Sequence, residues 1–168
     1  MNTIKRGLDA VLRVVSVALF ALLVVIVVWQ VFSRQVLNTP SAWTEEAARY
    51  TFVWVGLFAI ALVFSERGHV AVDFVVTRLA TRAQKVVAVF VQLCIIAFAL
   101  MVLVYGGWRA SRGAWGQSLS ALPTQVGVMY LVMPITGLMI AFYGVYHLLA
   151  ILRDDEDAIK ADLDPQVV

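Results

Sequence analysis

The sequence predicts an all-α membrane protein with four transmembrane helices, and its composition and charge distribution carry that prediction. Of the 168 residues, 62% are hydrophobic and 14% are charged, and the mean hydropathy is +0.88. Water-soluble domains are about 45–50% apolar and about 25% charged, so this chain has the composition of a protein dissolved in lipid. The charged residues also leave four long uncharged stretches between them. A soluble enzyme is therefore excluded.

The first transmembrane span is predicted at residues 14–33. A helix that crosses a hydrocarbon core of about 30 Å needs about 20 residues, and this uncharged stretch has that length. It follows the basic residues Lys5, Arg6 and Arg13, an arrangement typical of signal peptides. The apolar run is longer than that of a signal peptide, however, and no small-residue cleavage site follows it. We therefore expect it to remain as a membrane anchor.

The second and third spans are predicted at residues 43–65 and 86–108. The second is long enough only if its helix begins near Trp43, which brings three charged residues into the first turns. Before it, the segment 39–41, Thr-Pro-Ser, offers a capping hydroxyl and a proline suited to a helix start. The third span is bounded by basic residues at both ends.

The last uncharged stretch, residues 113–152, is too long for one crossing. Its first part, 113–125, is small, polar and interrupted, and it predicts a folded surface segment. Residues 126–152 are the predicted fourth span, in which Pro134 is expected to kink the helix.

The basic residues predict that both chain ends lie in the cytoplasm, because Lys and Arg near helix ends are retained on that side. This orientation places nine of them inside and four outside. Between spans 2 and 3, residues 69–82 have the pattern of a short amphipathic helix in the headgroup plane, with an ordinary solvated connector as the alternative. Residues 153–168 carry six acids and two bases and are expected to form a disordered cytoplasmic tail.

The middles of all four spans lack Asp, Glu, Lys and Arg. A transporter that moves ions through its own centre usually has such a residue, so this chain is not expected to hold the transport pathway. Gln92 and Thr136 are expected to make hydrogen bonds between helices or to their own backbone. One cysteine and two histidines give no sign of a disulfide, a metal site or haem, and a net charge of +2 gives none of nucleic acid binding. No cofactor is predicted.

Charged and aromatic residues gather at the predicted outer ends of the helices. Glu45 and Glu46 lie four and three residues before Arg49, so both acids can pair with it. They are interpreted either as local decoration of a helix start or as part of a docking surface. Aromatic and arginine side chains of the kind that protein interfaces favour are also found there. These further candidates for subunit contact or docking are Arg34, Trp43, Trp108, Arg109, Arg112 and Trp115.

The fourth span also carries a stripe of small residues, Gly137, Ala141 and Gly144. Small residues at this spacing let another helix approach closely. The partner helix is in this chain or in another.

Several segments together resemble the small membrane subunit, or DctQ-like component, of tripartite ATP-independent periplasmic (TRAP) transporters. They occur in the family's order from the end of the first span to the middle of the fourth. They are Arg34, the segment 43–50 (WTEEAARY) with Trp54 and Gly56, the segment 68–73 (GHVAVD), residues 118–123 (SLSALP) and residues 130–134 (YLVMP).

The resemblance implies an accessory subunit in the bacterial inner membrane. Its partners would be membrane lipids, a large DctM-like subunit that holds the substrate and Na⁺ sites, and a periplasmic binding protein that captures a carboxylate such as a C4-dicarboxylate or a sialic acid. It also implies that the 43–54 cluster (Trp43, Glu45, Glu46, Arg49 and Trp54) belongs to the subunit contact or orders the outer helix end. His69 and Asp73 would anchor the interfacial helix.

Two other functions remain as alternatives. A self-sufficient four-helix homodimeric exporter would need a membrane-embedded carboxylate to exchange protons, and the predicted first span has none. A membrane anchor of a redox enzyme would need haem ligands, and the two histidines are poorly placed for that role.

Overall fold

The computed structural model describes residues 2–39, 41–66 and 81–152, and this part of the chain is almost entirely helical. Four of its helices are long and apolar enough to cross a membrane: Lys5–Gln35, Ala42–Ser65, Ala83–Gly113 and Val126–Leu152. The predicted all-α fold with four spanning helices is confirmed. Most of the predicted interfacial helix, with His69 and Asp73, and the whole acidic segment 153–168 lie outside the described residues.

The first helix, α1 (Asn2–Gln35), extends the predicted span by several turns toward the N-terminus. It ends at a turn in which Asn38 has a φ of 53°, a left-handed conformation that asparagine tolerates better than most residues. The second helix, α2, runs over Ala42–Ser65. The expected hydroxyl cap is wrong in detail, because the Ser41 side chain makes no capping bond. Instead the Thr44 hydroxyl donates to the Ser41 carbonyl at 2.7 Å.

The third spanning helix is continuous, but part of it is π-helical rather than α-helical. An α-helix, α3 (Thr81–Phe98), passes into a π-helical stretch (Ala99–Gly106) and then into a short α-helix, α4 (Gly107–Gly113). It is therefore longer at both ends than the 86–108 stretch. The fourth spanning helix packs against this π-helical stretch and against α3.

The fourth spanning helix has two parts, α5 (Val126–Tyr130) and α6 (Val132–Leu152), separated at Leu131. Pro134 has no N–H to donate to the carbonyl of Tyr130, so regular α-helical bonding fails one turn before the proline. The Leu131 N–H bonds instead to Val128, three residues back, at 3.2 Å. The kink expected from Pro134 is thus an interruption at residue 131.

The helices pack in the order α1, α2, fourth spanning helix, third spanning helix, each against the next. The small-residue stripe faces a partner in the same chain. A Cβ built on Gly137 would lie 2.7 Å from Leu103 Cβ and 3.0 Å from the Ala99 carbonyl oxygen, and one on Gly144 would lie 2.7 Å from Ile96. These contacts allow the third and fourth spanning helices to approach each other at backbone distance.

Thr136 differs from its prediction. Its side chain is fully buried, yet among the described residues its hydroxyl has no hydrogen-bond partner. The threonine next to Gly137 is packed as a small core residue.

Candidate functional site

The segment between the third and fourth spanning helices, which we call the 114–125 loop, is folded back on itself. Ser118 and Gln125 form an antiparallel bridge, and the Leu119 N–H donates to the Thr124 carbonyl at 3.0 Å. The Val126 N–H closes the loop on the Gln117 carbonyl at 2.8 Å. The surface segment predicted from its polar composition is therefore an ordered loop with its own backbone hydrogen bonds.

The Glu46 carboxylate fixes this loop to the start of α2. Oε1 accepts from the backbone N–H of Ser120 at 3.0 Å, and Oε2 accepts from those of Ala121 at 3.0 Å and Leu122 at 3.2 Å. Successive backbone N–H groups of this kind form a concave site suited to an anion. Here the anion is a side chain of the same chain, and it joins segments more than 70 residues apart.

Arg49 pairs with Glu45 rather than with Glu46. Its Nη2 lies 3.2 Å from Glu45 Oε1, and the two side chains are 66% and 67% exposed. The sequence spacing allowed both acids to pair with Arg49, but within the described residues Glu45 is its only ion-pair partner. An exposed pair of this kind contributes less than about 1 kcal/mol to the stability of the chain.

Two further hydrogen bonds hold α5 in place at the same end of the molecule. The Trp54 indole N–H donates to the Met129 carbonyl at 3.1 Å, and its ring meets Phe58 edge-on at 6.0 Å. The Ser111 hydroxyl donates to the Gly127 carbonyl at 2.7 Å in a buried contact. Trp54, a candidate for subunit contact, therefore orders the inside of this chain.

The other predicted site residues at this end are exposed. Arg34, Trp43 and Arg109 project from helix ends, and Trp43 is 44% exposed. Three more line a surface recess of about 350 Å³ together with Ser111; these are Trp108, Arg112 and Trp115. We call this region, from the start of α2 to the 114–125 loop and the adjoining helix ends, the loop end.

A second polar group, the Asp9 cluster, lies at the opposite end and consists of Lys5, Asp9, Ser65, Tyr143 and His147. Asp9 Oδ1 accepts from the Ser65 hydroxyl at 2.6 Å and from the Tyr143 hydroxyl at 2.7 Å, while Oδ2 lies 3.4 Å from Lys5 Nζ. His147 Nε2 lies 3.0 Å from the Ser65 carbonyl.

Asp9 was not among the predicted site residues, because it precedes the predicted first span. A signal was present in the charge pattern. Asp9 follows Lys5 by four residues, so the two side chains are neighbours if the helix of the apolar run begins before them. Its partners in α2 and α6 have no such local signal.

Within the described residues, no group of three or more His, Cys, Asp or Glu side chains is arranged to hold a metal ion. The loop end and the Asp9 cluster are built from hydrogen bonds and packing. These contacts hold the 114–125 loop to α2 at one end and the start of α1 to α2 and α6 at the other.

Comparison with known proteins gives a family match and several relatives. Residues 23–154 match the family model described as Tripartite ATP-independent periplasmic transporters, DctQ component. The sialic acid TRAP transporter small permease protein SiaQ of Vibrio cholerae is 25% identical over 142 residues, which cover 84% of this chain and 82% of that protein.

Two longer relatives match in part. The sialic acid TRAP transporter permease protein SiaT of Haemophilus influenzae is 32% identical over 90 residues, 54% of this chain and 14% of that protein. The isethionate TRAP transporter permease protein DctMQ of Oleidesulfovibrio alaskensis is 30% identical over 105 residues, 59% of this chain and 16% of that protein.

Proposed function

Because the chain belongs to the DctQ component family of TRAP transporters, we propose that it is the small membrane subunit that supports a large DctM-like subunit during solute uptake. The family is a transporter component and not an enzyme, and its four apolar helices make this chain a multi-pass protein of the inner membrane. The name DctMQ of one long relative joins both component names, which supports a DctM-like partner.

The ordered loop end is the observation that carries the proposal. Glu46 holds the 114–125 loop against α2, so the neighbouring exposed side chains are presented on a rigid base. Preorganised surfaces lose less conformational entropy when a partner binds. Arg34, Trp43, Arg49 and Arg109 are the exposed members that we assign to contact with the large subunit or with a periplasmic binding protein.

With both chain ends in the cytoplasm, the loop end faces the periplasm, where a binding protein would dock. The recess lined by Trp108, Arg112 and Trp115 belongs to the same surface. We place the substrate and Na⁺ sites in the large subunit, since the predicted centres of the spans in this chain have no charged side chain.

The proposed substrate is a carboxylate of the C4-dicarboxylate or sialic-acid type. Two relatives are named for sialic acid, and one is named for isethionate, which is a sulfonate. An experiment on substrate class therefore has to include both kinds of acid.

The test is uptake into proteoliposomes that contain this chain alone, the large subunit alone, or both together, with the binding protein outside and an inward Na⁺ gradient. We expect uptake of labelled succinate or sialic acid from both subunits together and none from the small chain alone. Isethionate and a Na⁺-free buffer serve as controls for substrate class and coupling. Uptake by the small chain alone, or full uptake by the large subunit without it, would contradict the proposal.

A further inference from the structure

The Asp9 cluster is separate from the loop end and joins three helices. We propose that Asp9 is a positioning residue that fixes the N-terminal part of α1 to both α2 and the fourth spanning helix. Its contacts reach Ser65, 56 residues away, and Tyr143, 134 residues away. The carboxylate thereby sets which face of α1 is turned toward the large subunit, an extension that rests on the proposed function.

The need for such a contact follows from how little of α1 is buried. Most of its apolar side chains are exposed, and Leu12 and Ile26 are its only buried apolar residues in the described region. In a bilayer, lipid tails are as apolar as these side chains, so burial supplies little force between helices. Polar contacts and close packing then decide the position of a helix. α1 has both in the same place, because the buried Leu12 lies one turn after Asp9.

The two carboxylate oxygens of Asp9 have different partners. Oδ1 accepts from both hydroxyls, one on α2 and one on α6, and so forms the three-helix contact. Oδ2 faces Lys5, whose ammonium also lies 5.7 Å from the centre of the Tyr146 ring on α6. Asp9 and Lys5, which lies one turn earlier, thus both connect the start of α1 to α6.

Ser65 and His147 supply a fixed base for this contact. Ser65 is the last residue of α2, where helix carbonyls lack intrahelical donors. Its carbonyl lies 3.0 Å from His147 Nε2, and since a carbonyl only accepts, this nitrogen carries the proton. The contact joins α2 to α6 independently of α1. Asp9 therefore attaches α1 to a pair of helix ends that are already joined.

The first experiment is a double-mutant cycle with Asp9→Ala and Tyr143→Phe in the full chain, measured as the unfolding equilibrium constant in mixed micelles. We expect each single variant to raise this constant roughly threefold to tenfold, the range of polar contacts in membrane proteins. The double variant should be no less stable than Asp9→Ala alone, because both changes remove the same bond. Additive effects would overturn the proposal.

Two variants make the cycle specific. Ser16→Ala removes a buried α1 hydroxyl that has no partner among the described residues, so it should leave the unfolding constant unchanged. Asp9→Asn keeps Oδ1 as an acceptor but puts an amide donor opposite Lys5. It should therefore retain coupling to Tyr143 while losing part of the stability. Loss of coupling in Asp9→Asn would contradict the assignment of the three-helix contact to Oδ1.

A distance measurement checks position directly, and it remains informative if Asp9→Ala unfolds, because Tyr143→Phe removes one hydroxyl only. Spin labels at the exposed positions Gly7 and Leu152, in a Cys94→Ser background, should give a narrow distance distribution that broadens in Tyr143→Phe and further in Asp9→Ala. Unchanged distributions would overturn the positioning role.

Assembly is measured separately by co-purification with the large subunit. We expect Tyr143→Phe to lower its yield in proportion to the broadening of the distance distribution. Normal co-purification together with broadened distances would refute the extension to the large subunit and leave the positioning role standing. A parent chain that does not co-purify with the large subunit at all would instead refute the proposed function.

Discussion

Glu45 and Glu46 are adjacent, but their carboxylates make contacts of different strength. Glu45 forms an exposed ion pair with Arg49, whereas Glu46 accepts three backbone N–H groups of the 114–125 loop. Hydrogen bonds to a charged acceptor are about twice as strong as neutral ones, and here they are geometrically fixed by the loop. Both residues are glutamates, so the residue type alone does not predict which of them binds the loop.

Replacing Glu46 is therefore expected to loosen the loop, while replacing Glu45 is not. Glu46→Ala should cost about 2 kcal/mol of local stability, since three amides lose a charged acceptor. Hydrogen–deuterium exchange of the peptide that covers residues 117–125 measures this loss. Glu45→Ala is the matched control and should leave that exchange unchanged. Equal exchange in the two variants would show that Glu46 does not order the loop.

The same pair of variants tests the proposed docking surface. If the ordered loop presents the contact residues, co-purification with the large subunit should fall in Glu46→Ala and persist in Glu45→Ala. A drop in Glu45→Ala of the same size would instead point to direct charge contact by the Glu45–Arg49 pair.

At the scale of the elements, the contact between the third and fourth spanning helices depends on the absence of side chains. The Gly137 backbone lies against Leu103, Val104 and the Ala99 carbonyl, within the π-helical stretch. A backbone oxygen cannot move aside as a side-chain tip can. The interface therefore has no room for a side chain at residue 137.

Gly137→Ala is accordingly expected to destabilise the chain by about 1–3 kcal/mol, because the new methyl group must push two helices apart. Gly56→Ala is the control, since a Cβ there meets nothing within 4 Å and alanine favours the helix. Unfolding in mixed micelles should show a loss for the first variant and none for the second. Equal stability of the two would mean that the close approach is not required.

At the scale of the whole molecule, the helices pack in a row, and the N-terminal part of α1 also reaches α6 through the Asp9–Tyr143 hydrogen bond. α1 packs on α2, α2 on the fourth spanning helix, and the fourth on the third. The two edge helices therefore keep large exposed apolar faces, which include Phe20 and Trp29 on α1 and Phe90 and Met101 on the third. Such faces suit contact with lipid or with a larger membrane subunit.

The charge distribution predicts that the loop end is periplasmic and that both chain ends are cytoplasmic. In a Cys94→Ser background, a cysteine at Gln117 should react in intact spheroplasts with a membrane-impermeant maleimide, because this residue is exposed on the loop. A cysteine at Gly7 should react only after the membrane is opened. The reverse pattern would invert the orientation and move the proposed docking surface to the cytoplasm.

Much of the helical layout was predictable, since long uncharged runs have one stable form in a bilayer, a helix that bonds its own backbone. The positions of the four long helices follow from that constraint. Helix ends were less predictable, as α1 and the third spanning helix both continue beyond their apolar runs through charged residues such as Lys5 and Arg109. Outside the hydrocarbon core, charge no longer ends a helix.

The candidate site was predictable in location but not in its contacts. Spacing correctly placed Glu45 within reach of Arg49, because residues four apart on a helix are neighbours. The same rule gave Glu46 the wrong partner, and it offered nothing for Trp54 and Met129. Those pairs depend on how distant segments are brought together.

Two local properties could therefore be predicted from the sequence alone. They are the transfer of apolar runs into lipid and the pairing of neighbouring side chains on one helix. Only the tertiary structure decided that Glu46 holds residues 120–122, that Asp9 meets Ser65 and Tyr143, and that Gly137 faces the third spanning helix. A hydrogen bond or a backbone contact acts over about 3 Å, and sequence separation gives no measure of that distance. Which polar groups meet is set by the packing order of the helices.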